Sequence, residues 1–207
     1  WVLERLMAGM PITSAAIARM GVGGLLKEIP TRPQPRSGDV GARAEPTTRR
    51  APRIGCILLA AGRSTRMGAR NKLLEDLFGK PIVRHAADAA LASTIQSVIV
   101  VTGYQQRAVE AALAGLDVTI THNPDFATGL AGSLRAGIAA LPPGLDGIFV
   151  ALGDMPGIRA ADYDAMISAF SPADDRSIVV PTHAGKRGNP VLWAIRHLAA
   201  MRALEGD

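Results

Sequence analysis

The stretch IGCILLAAGRSTRMGARNK, residues 54–72, places an unbroken apolar run directly before two glycines, three arginines and a lysine. Residues 54–60 carry no polar alternation and are too few for a typical helix. They therefore predict a strand buried on both faces, as in a parallel sheet sandwiched between helices. Gly62 ends the run, and the loop behind it is rich in cations. Backbone amides of such a loop can wrap a polyphosphate while Arg63, Arg66 and Lys72 neutralise its charge. Two familiar phosphate loops fail on spacing: Gly62 and Gly68 are six apart with Ala69 following, and no G-x-G-x-x-G occurs. A solvated basic loop is the alternative, and its place behind the first strand favours the phosphate reading.

Working outward, strands and helices alternate. A helix is predicted from Pro81 to about Ala92, a strand at 97–102, a helix around 105–114 and a strand at 117–121. A helix follows through LAGSLRAGIAAL, then a strand at 147–153, a helix from about Ala160 to Phe170 and a strand at 177–181. This order implies an α/β class: a Rossmann-like, mostly parallel sheet with helices on both faces and right-handed crossovers. Ligands of such sheets bind outside the carboxyl ends of the strands. The basic loop sits at one such end, and Asp154, in ALGDMP, falls just past another. A carboxylate there can hold Mg²⁺, which keeps several waters and takes one or two carboxylates plus substrate phosphates; a turn aspartate is the alternative.

Upstream, residues 30–53 are rich in Pro and Arg and nearly free of large apolar side chains, which predicts a flexible linker. Residues 1–29 show Leu3, Leu6 and Met7 at helical spacing, Thr13 as an N-cap and glycines at 21, 23 and 24 closing a helix. They read as the end of a preceding domain. The chain begins at Trp1 and stops at Asp207, so a fragment truncated at its C-terminus is expected.

Composition narrows the partners. The 207 residues are 48% hydrophobic and 20% charged, with a formal net charge of +5. The excess of cations favours anionic ligands. Aromatics make up only 4% and no basic run interleaves with them, which argues for a phosphorylated small molecule over nucleic acid. No apolar run approaches a membrane span, and residues 1–29 lack the basic-then-apolar layout of a signal peptide. One cysteine, Cys56, excludes an internal disulfide and fits a cytoplasmic protein.

Four segments, LLAAGRSTRMGARNKLL, NPDFATGLAGSLRAGI, LGDMP and GKRGNPVLW, together resemble the molybdenum cofactor cytidylyltransferases. These are relatives of the guanylyltransferases of the same pathway within the nucleotidyltransferase superfamily. The likeness spans residues 54–207 and implies the nucleotide-diphospho-sugar transferase type of fold. MPITSAAIARMGVGGLLKEIPTRPQPR resembles the end of a molybdopterin-binding domain fused ahead of such transferases. The resemblance implies that the phosphate of molybdopterin attacks the α-phosphate of CTP and releases pyrophosphate, with Mg²⁺ or Mn²⁺ as cofactor. A xanthine dehydrogenase-type molybdoenzyme is then the recipient.

The same resemblance assigns roles by position. Leu59, Ala60, Ala61 and Gly62 present backbone to the nucleotide, Lys72 and Arg66 meet its phosphates, and Thr102 and Asn123 face base and ribose. Asp154 holds the metal and Asp207 supplies a second carboxylate. Ser133 lies at a helix start beside the base, and Lys186, Arg187 and Asn189, with His183, serve the pterin side. Three of these have plain alternatives: Thr102 as a strand-end cap, Asn123 as a turn former and Ser133 as an N-cap. In relatives a histidine often stands where Asn189 does. CTP is expected over GTP because LAAG stands where the guanylyl relatives have LAGG, and GLAGSLRAG lacks their proline after the glycine. A guanylyltransferase, a sugar or alditol phosphate nucleotidyltransferase, and a non-catalytic cofactor carrier remain open.

Overall fold

β1 (Ile54–Ala60) is buried at every position, and the rest of the fold is built around it. The computed structural model describes residues 50–63, 71–183 and 185–206. The expected helix and domain remnant in 1–29 and most of the expected linker lie outside these residues. Along the chain follow β2 (Asp76–Leu77) and β3 (Lys80–Pro81), α1 (Ile82–Leu91), β4 (Ser97–Thr102), α2 (Gln106–Ala112), β5 (Thr119–His122) and α3 (Leu130–Ala139). Then come β6 (Gly147–Leu152), α4 (Ala160–Ala169), β7 (Ile178–Val179), β8 (Thr182–His183), β9 (Lys186–Arg187), β10 (Val191–Ala194) and α5 (Leu198–Arg202).

Six strands form one sheet in the order β5-β4-β1-β6-β10-β7. β1 pairs in parallel with β4 and β6, and β4 pairs in parallel with β5. β10 runs antiparallel to both β6 and β7. The sheet is therefore mostly parallel, as the alternating pattern predicts.

Successive β1 side chains feed opposite layers. Cys56, Leu58 and Ala60 join Val83 and Ala87 of α1, Val109 of α2 and Tyr163 of α4. Ile57 and Leu59 join Leu134 and Ile138 of α3, Trp193 of β10 and Met201 of α5. Helices thus cover both faces, which is why β1 is apolar throughout. Each buried Leu or Ile contributes roughly 1.5–3 kcal/mol. α3 approaches the sheet closely because Gly137 has no side chain: a Cβ there would lie 2.5 Å from Ile57 Cγ2 and 3.0 Å from Val101 Cγ2.

Several features differ from the sequence reading, which predicts no strand at β2, β3, β8 or β9 and no helix at α5. β10 was not expected; four residues after a proline carry little periodic signal, yet they fill the gap between β6 and β7. The strand expected at 117–121 is observed at Thr119–His122, and that expected at 177–181 shortens to two residues. Finally, contacts with the folded body begin before Ile54. The Arg50 guanidinium donates two 2.9 Å hydrogen bonds to the Asp146 carboxylate, and the Arg53 N–H donates to Asp146 Oδ2 at 2.7 Å. The peptide bond from Asn189 to Pro190 is cis. Among the described residues no helix is long and apolar enough to cross a membrane.

Candidate functional site

The carboxyl ends of β1, β4, β5 and β6 share one rim, and of the polar residues singled out in the sequence Lys72, Thr102, Asn123, Ser133 and Asp154 stand near it. Asn71 shapes the first wall. Its Oδ1 accepts the Leu73 N–H at 3.1 Å and caps the single turn Lys72–Leu74, while the Leu73 side chain is buried as an anchor. Lys72 is thereby held at the rim. The Asn71 side chain is itself buried, and sequence reasoning did not single it out.

Asp154 arrives from the other side of β1. The Gly153 N–H donates to the Leu59 carbonyl at 2.9 Å, which extends the β1–β6 pairing by one step and turns the next residue into the open. A Cβ on Gly153 would lie 3.2 Å from that carbonyl and 3.3 Å from Leu73 Cδ2, so the site suits glycine. The result is a contact between Lys72 Nζ and Asp154 Oδ2 of 3.1 Å, bridging 82 positions of sequence. Each side chain remains 42% exposed. A pair this wet contributes at most about 1 kcal/mol, so both groups can be exchanged for ligands at little expense.

Between these elements and α3 lies a cleft of about 430 Å³, a size suited to a small-molecule ligand. Leu59, Ala61 and Gly62 at the end of β1, Ser133 on α3, and Asp154 all line it. Arg63, Leu73, Phe126 and Gly129 complete much of its wall. Gly129 caps α3 with φ +121°, a conformation that L side chains rarely adopt. The N-cap of α3 is therefore Gly129. Ser133 sits one turn further in, and its Oγ accepts the Asn123 Nδ2–H at 3.0 Å.

The remaining candidates divide. Asn123 is buried; besides holding Ser133, its Oδ1 accepts the Asp125 N–H at 3.1 Å. It thus supports the cleft wall from behind. Thr102 is fully buried, and its hydroxyl donates to the Thr121 carbonyl at 3.3 Å and lies 3.4 Å from His122 Nδ1. It joins β4 to β5 and does not line the cleft. Ala60 points its methyl into the α1 layer, leaving only its backbone near the rim. Lys186 and Arg187 form one exposed strand of the β8–β9 hairpin, with His183 on the other, and Asn189 is half-buried just beyond. β7 runs parallel to β6, so this hairpin emerges at the same rim, though none of its residues lines the cleft. Arg66 and Asp207 lie outside the described residues.

The other histidines have ordinary contacts. His85 Nε2 lies 2.6 Å from the Leu77 carbonyl, and burial lowers the pKa of His197 beside Ser177. Burial also pushes the Cys56 thiol up to about 12, so it is a neutral core residue and no nucleophile. No group of three or more His, Cys, Asp or Glu side chains gathers around a metal position among the described residues. Among the described residues, Asp154 is the carboxylate that lines the cleft. That donor set, one hard oxygen ligand with room for water and phosphate, fits a cation of the Mg²⁺ or Mn²⁺ type and not a caged structural metal.

Residues 56–207 match the family model described as a MobA-like NTP transferase domain. Over 143 residues the chain is 33% identical to the molybdenum cofactor cytidylyltransferase of Escherichia coli (strain K12), covering 67% of this chain and 69% of that protein. It is 34% identical over 125 residues to the bifunctional protein GlmU of Sinorhizobium fredii, covering 59% of this chain. There it spans only 27% of the relative's length. Among solved structures, Rv0371c from Mycobacterium tuberculosis H37Rv superposes with a TM-score of 0.66 at 28% identity, covering 76% of this chain and 79% of that one. A second crystal structure of that protein, in complex with manganese, gives a TM-score of 0.63 at 26% identity, covering 75% and 78%.

Proposed function

Because the chain belongs to the MobA-like NTP transferase domain family, we propose that it is a cytidylyltransferase acting on molybdopterin. The terminal phosphate of molybdopterin attacks the α-phosphorus of CTP. A new P–O–P bridge forms, the bond from the α-phosphorus to the bridging oxygen breaks, and pyrophosphate leaves with that electron pair. The attacking oxygen is already anionic, so no protein nucleophile or general base is needed. What the protein supplies is position and positive charge.

One observation carries this reading: Lys72 and Asp154 meet at 3.1 Å on the rim of the cleft that β1 opens into. Lys72 exchanges the Asp154 carboxylate for the triphosphate and neutralises charge that builds on the leaving group. Leu59, Ala61 and Gly62 bring backbone against the nucleotide, with Arg66 beside the phosphates. Asp154 holds the divalent cation, and Asp207 is its second carboxylate. In support, the Gly206 carbonyl accepts the Ala131 N–H at the start of α3 at 3.2 Å. When bound, that cation acts as a Lewis acid on the phosphate oxygens. The manganese complex of the structural relative supports this assignment.

The choice of CTP and molybdopterin is supported by the Escherichia coli relative. It is also supported by Ala61, a residue of the cleft lining whose methyl packs against Gly103. Lys186, Arg187 and Asn189, at the same rim, receive the pterin. The protein then works in the cytoplasm and passes its product to a xanthine dehydrogenase-type enzyme.

Pyrophosphate release tests the proposal. The full chain with Mg²⁺ and molybdopterin should turn over CTP at least 10-fold faster than GTP, and should not use sugar phosphates as acceptors. Preference for GTP overturns the nucleotide assignment. Turnover with a sugar phosphate alone overturns the acceptor, and cofactor binding without pyrophosphate release overturns the enzyme.

A further inference from the structure

The cleft has two chemically distinct ends. At one, Leu73 belongs to the hydrophobic layer of α1, α2 and α4, and beside it stand Lys72 and Asp154. At the other, Leu130 belongs to the opposite layer, with α3 and α5, and there the wall is made by Ser133, Gly129 and an aromatic ring, Phe126. The cleft therefore straddles the sheet edge, with the Lys72–Asp154 pair on one side and the Phe126 ring on the other. A nucleoside triphosphate has the same polarity. The proposed phosphate site fixes which end its base must occupy.

Phe126 is built into position. It opens the single turn Phe126–Thr128 between β5 and α3. The turn packs against Gly103 so tightly that a Cβ on that glycine would fall 2.6 Å from Phe126 Cβ. Tyr104 leans on the same ring, with centroids 6.3 Å apart and planes tilted by 51°. Despite this support the ring is only half-buried, and it lines the cleft. Core packing alone does not require a braced aromatic with an open face. That face is covered from the β1 loop: Arg63 Cζ lies 5.2 Å from the ring centroid, within cation–π range. Arg63 is otherwise exposed. The guanidinium thus lies over the ring face on which a base would stack.

We infer that Phe126 is the platform on which the nucleobase stacks, and that Arg63 covers it until the nucleotide displaces the guanidinium. This rests on the nucleotidyltransferase reading of the cleft. Phe126 then supplies affinity for any base, because every base offers a π face. Discrimination between bases falls to the polar and small groups around it, Ser133 and Ala61.

Calorimetric titration of the full chain with CTP and with tripolyphosphate, both in Mg²⁺, tests the inference. Tripolyphosphate carries the charge of the nucleotide without its base. Phe126→Leu keeps the apolar volume and removes the ring. It should weaken CTP roughly 5- to 150-fold, the range of base–aromatic stacking, and tripolyphosphate less than 2-fold. Phe126→Tyr should restore CTP binding to within about 3-fold. Equal weakening of both ligands by Phe126→Leu, or unchanged CTP affinity, overturns the platform. Failure of the tyrosine to rescue overturns it too. Binding of tripolyphosphate but not CTP by the wild-type chain overturns the nucleotide reading itself, and the platform with it.

Discussion

Replacing Asp154 by alanine should separate chemistry from folding. The ion pair with Lys72 spans 3.1 Å, and each side chain is 42% exposed. At the dielectric constant of water, unit charges at that distance attract by about 1.3 kcal/mol. Side-chain entropy and salt reduce such pairs to about 0–1 kcal/mol net. In a domain of this size 1 kcal/mol moves the melting temperature by about 2–4 °C. Asp154→Ala should therefore melt within about 4 °C of wild type. Its turnover should fall by roughly 100- to 1,000-fold, the scale on which losing one group that organises transition-state charge is felt. Thermal melts followed by circular dichroism, run beside pyrophosphate release from CTP with Mg²⁺ and molybdopterin, measure both quantities on one preparation. A drop of 10 °C or more would mean that the pair is a structural strut. Intact turnover in a folded variant would remove the metal role, and with it the reason for placing phosphates at this rim.

Other outcomes follow from single contacts. Gly137→Ala forces a methyl against Ile57 and Val101 and should cost about 1–3 kcal/mol in urea titrations; an unchanged midpoint would show that α3 shifts freely. Cys56, the sole cysteine, should resist thiol reagents at pH 8 in the native protein and react fully in guanidinium, because burial holds the thiol neutral up to about 12. Rapid native labelling would contradict that. Asp162 accepts the Arg159 N–H at the start of α4, and its pKa is lowered chiefly by its side-chain hydrogen bond with Arg159. A lowered carboxylate contributes stability above its unfolded value, near 4, and loses it as pH falls through the folded value. Asp162→Asn should therefore remove about 0.3–1 kcal/mol at pH 7 and flatten the acid limb of the stability profile below pH 4. An unaltered acid limb would assign that loss to other carboxylates.

Sequence and structure agree most where one signal is both local and strong. The run at 54–60 is legible because a strand covered on both faces needs no polar position, and the glycine behind it marks the rim. Lys72 and Asp154 were each visible as residue types at strand ends. Their contact was not, since it depends on β1 and β6 being neighbours in the sheet. The same limit explains Thr102 and Asn123: the resemblance assigns both to base and ribose, with a strand-end cap and a turn former as the plain alternatives, but which neighbour takes up a hydroxyl or amide depends on register and helix placement. β10 escaped notice because four residues cannot display a period. Phe126 and Asn71 escaped because a lone phenylalanine reads as core and a lone asparagine as a turn, and only the packing of Gly103 and Leu73 reveals what each supports.

The clasp between Arg50 and Asp146 fixes where the upstream chain joins this body. Asp146 immediately precedes Gly147, which is in register with Ile54 at the amino ends of the strands. The cleft opens at the other pole. Seven residues of β1 separate the two, a climb of about 20 Å. Arg50, at one end of this clasp, therefore stands at the pole of the sheet opposite the rim where the cleft opens, with the full length of β1 between them.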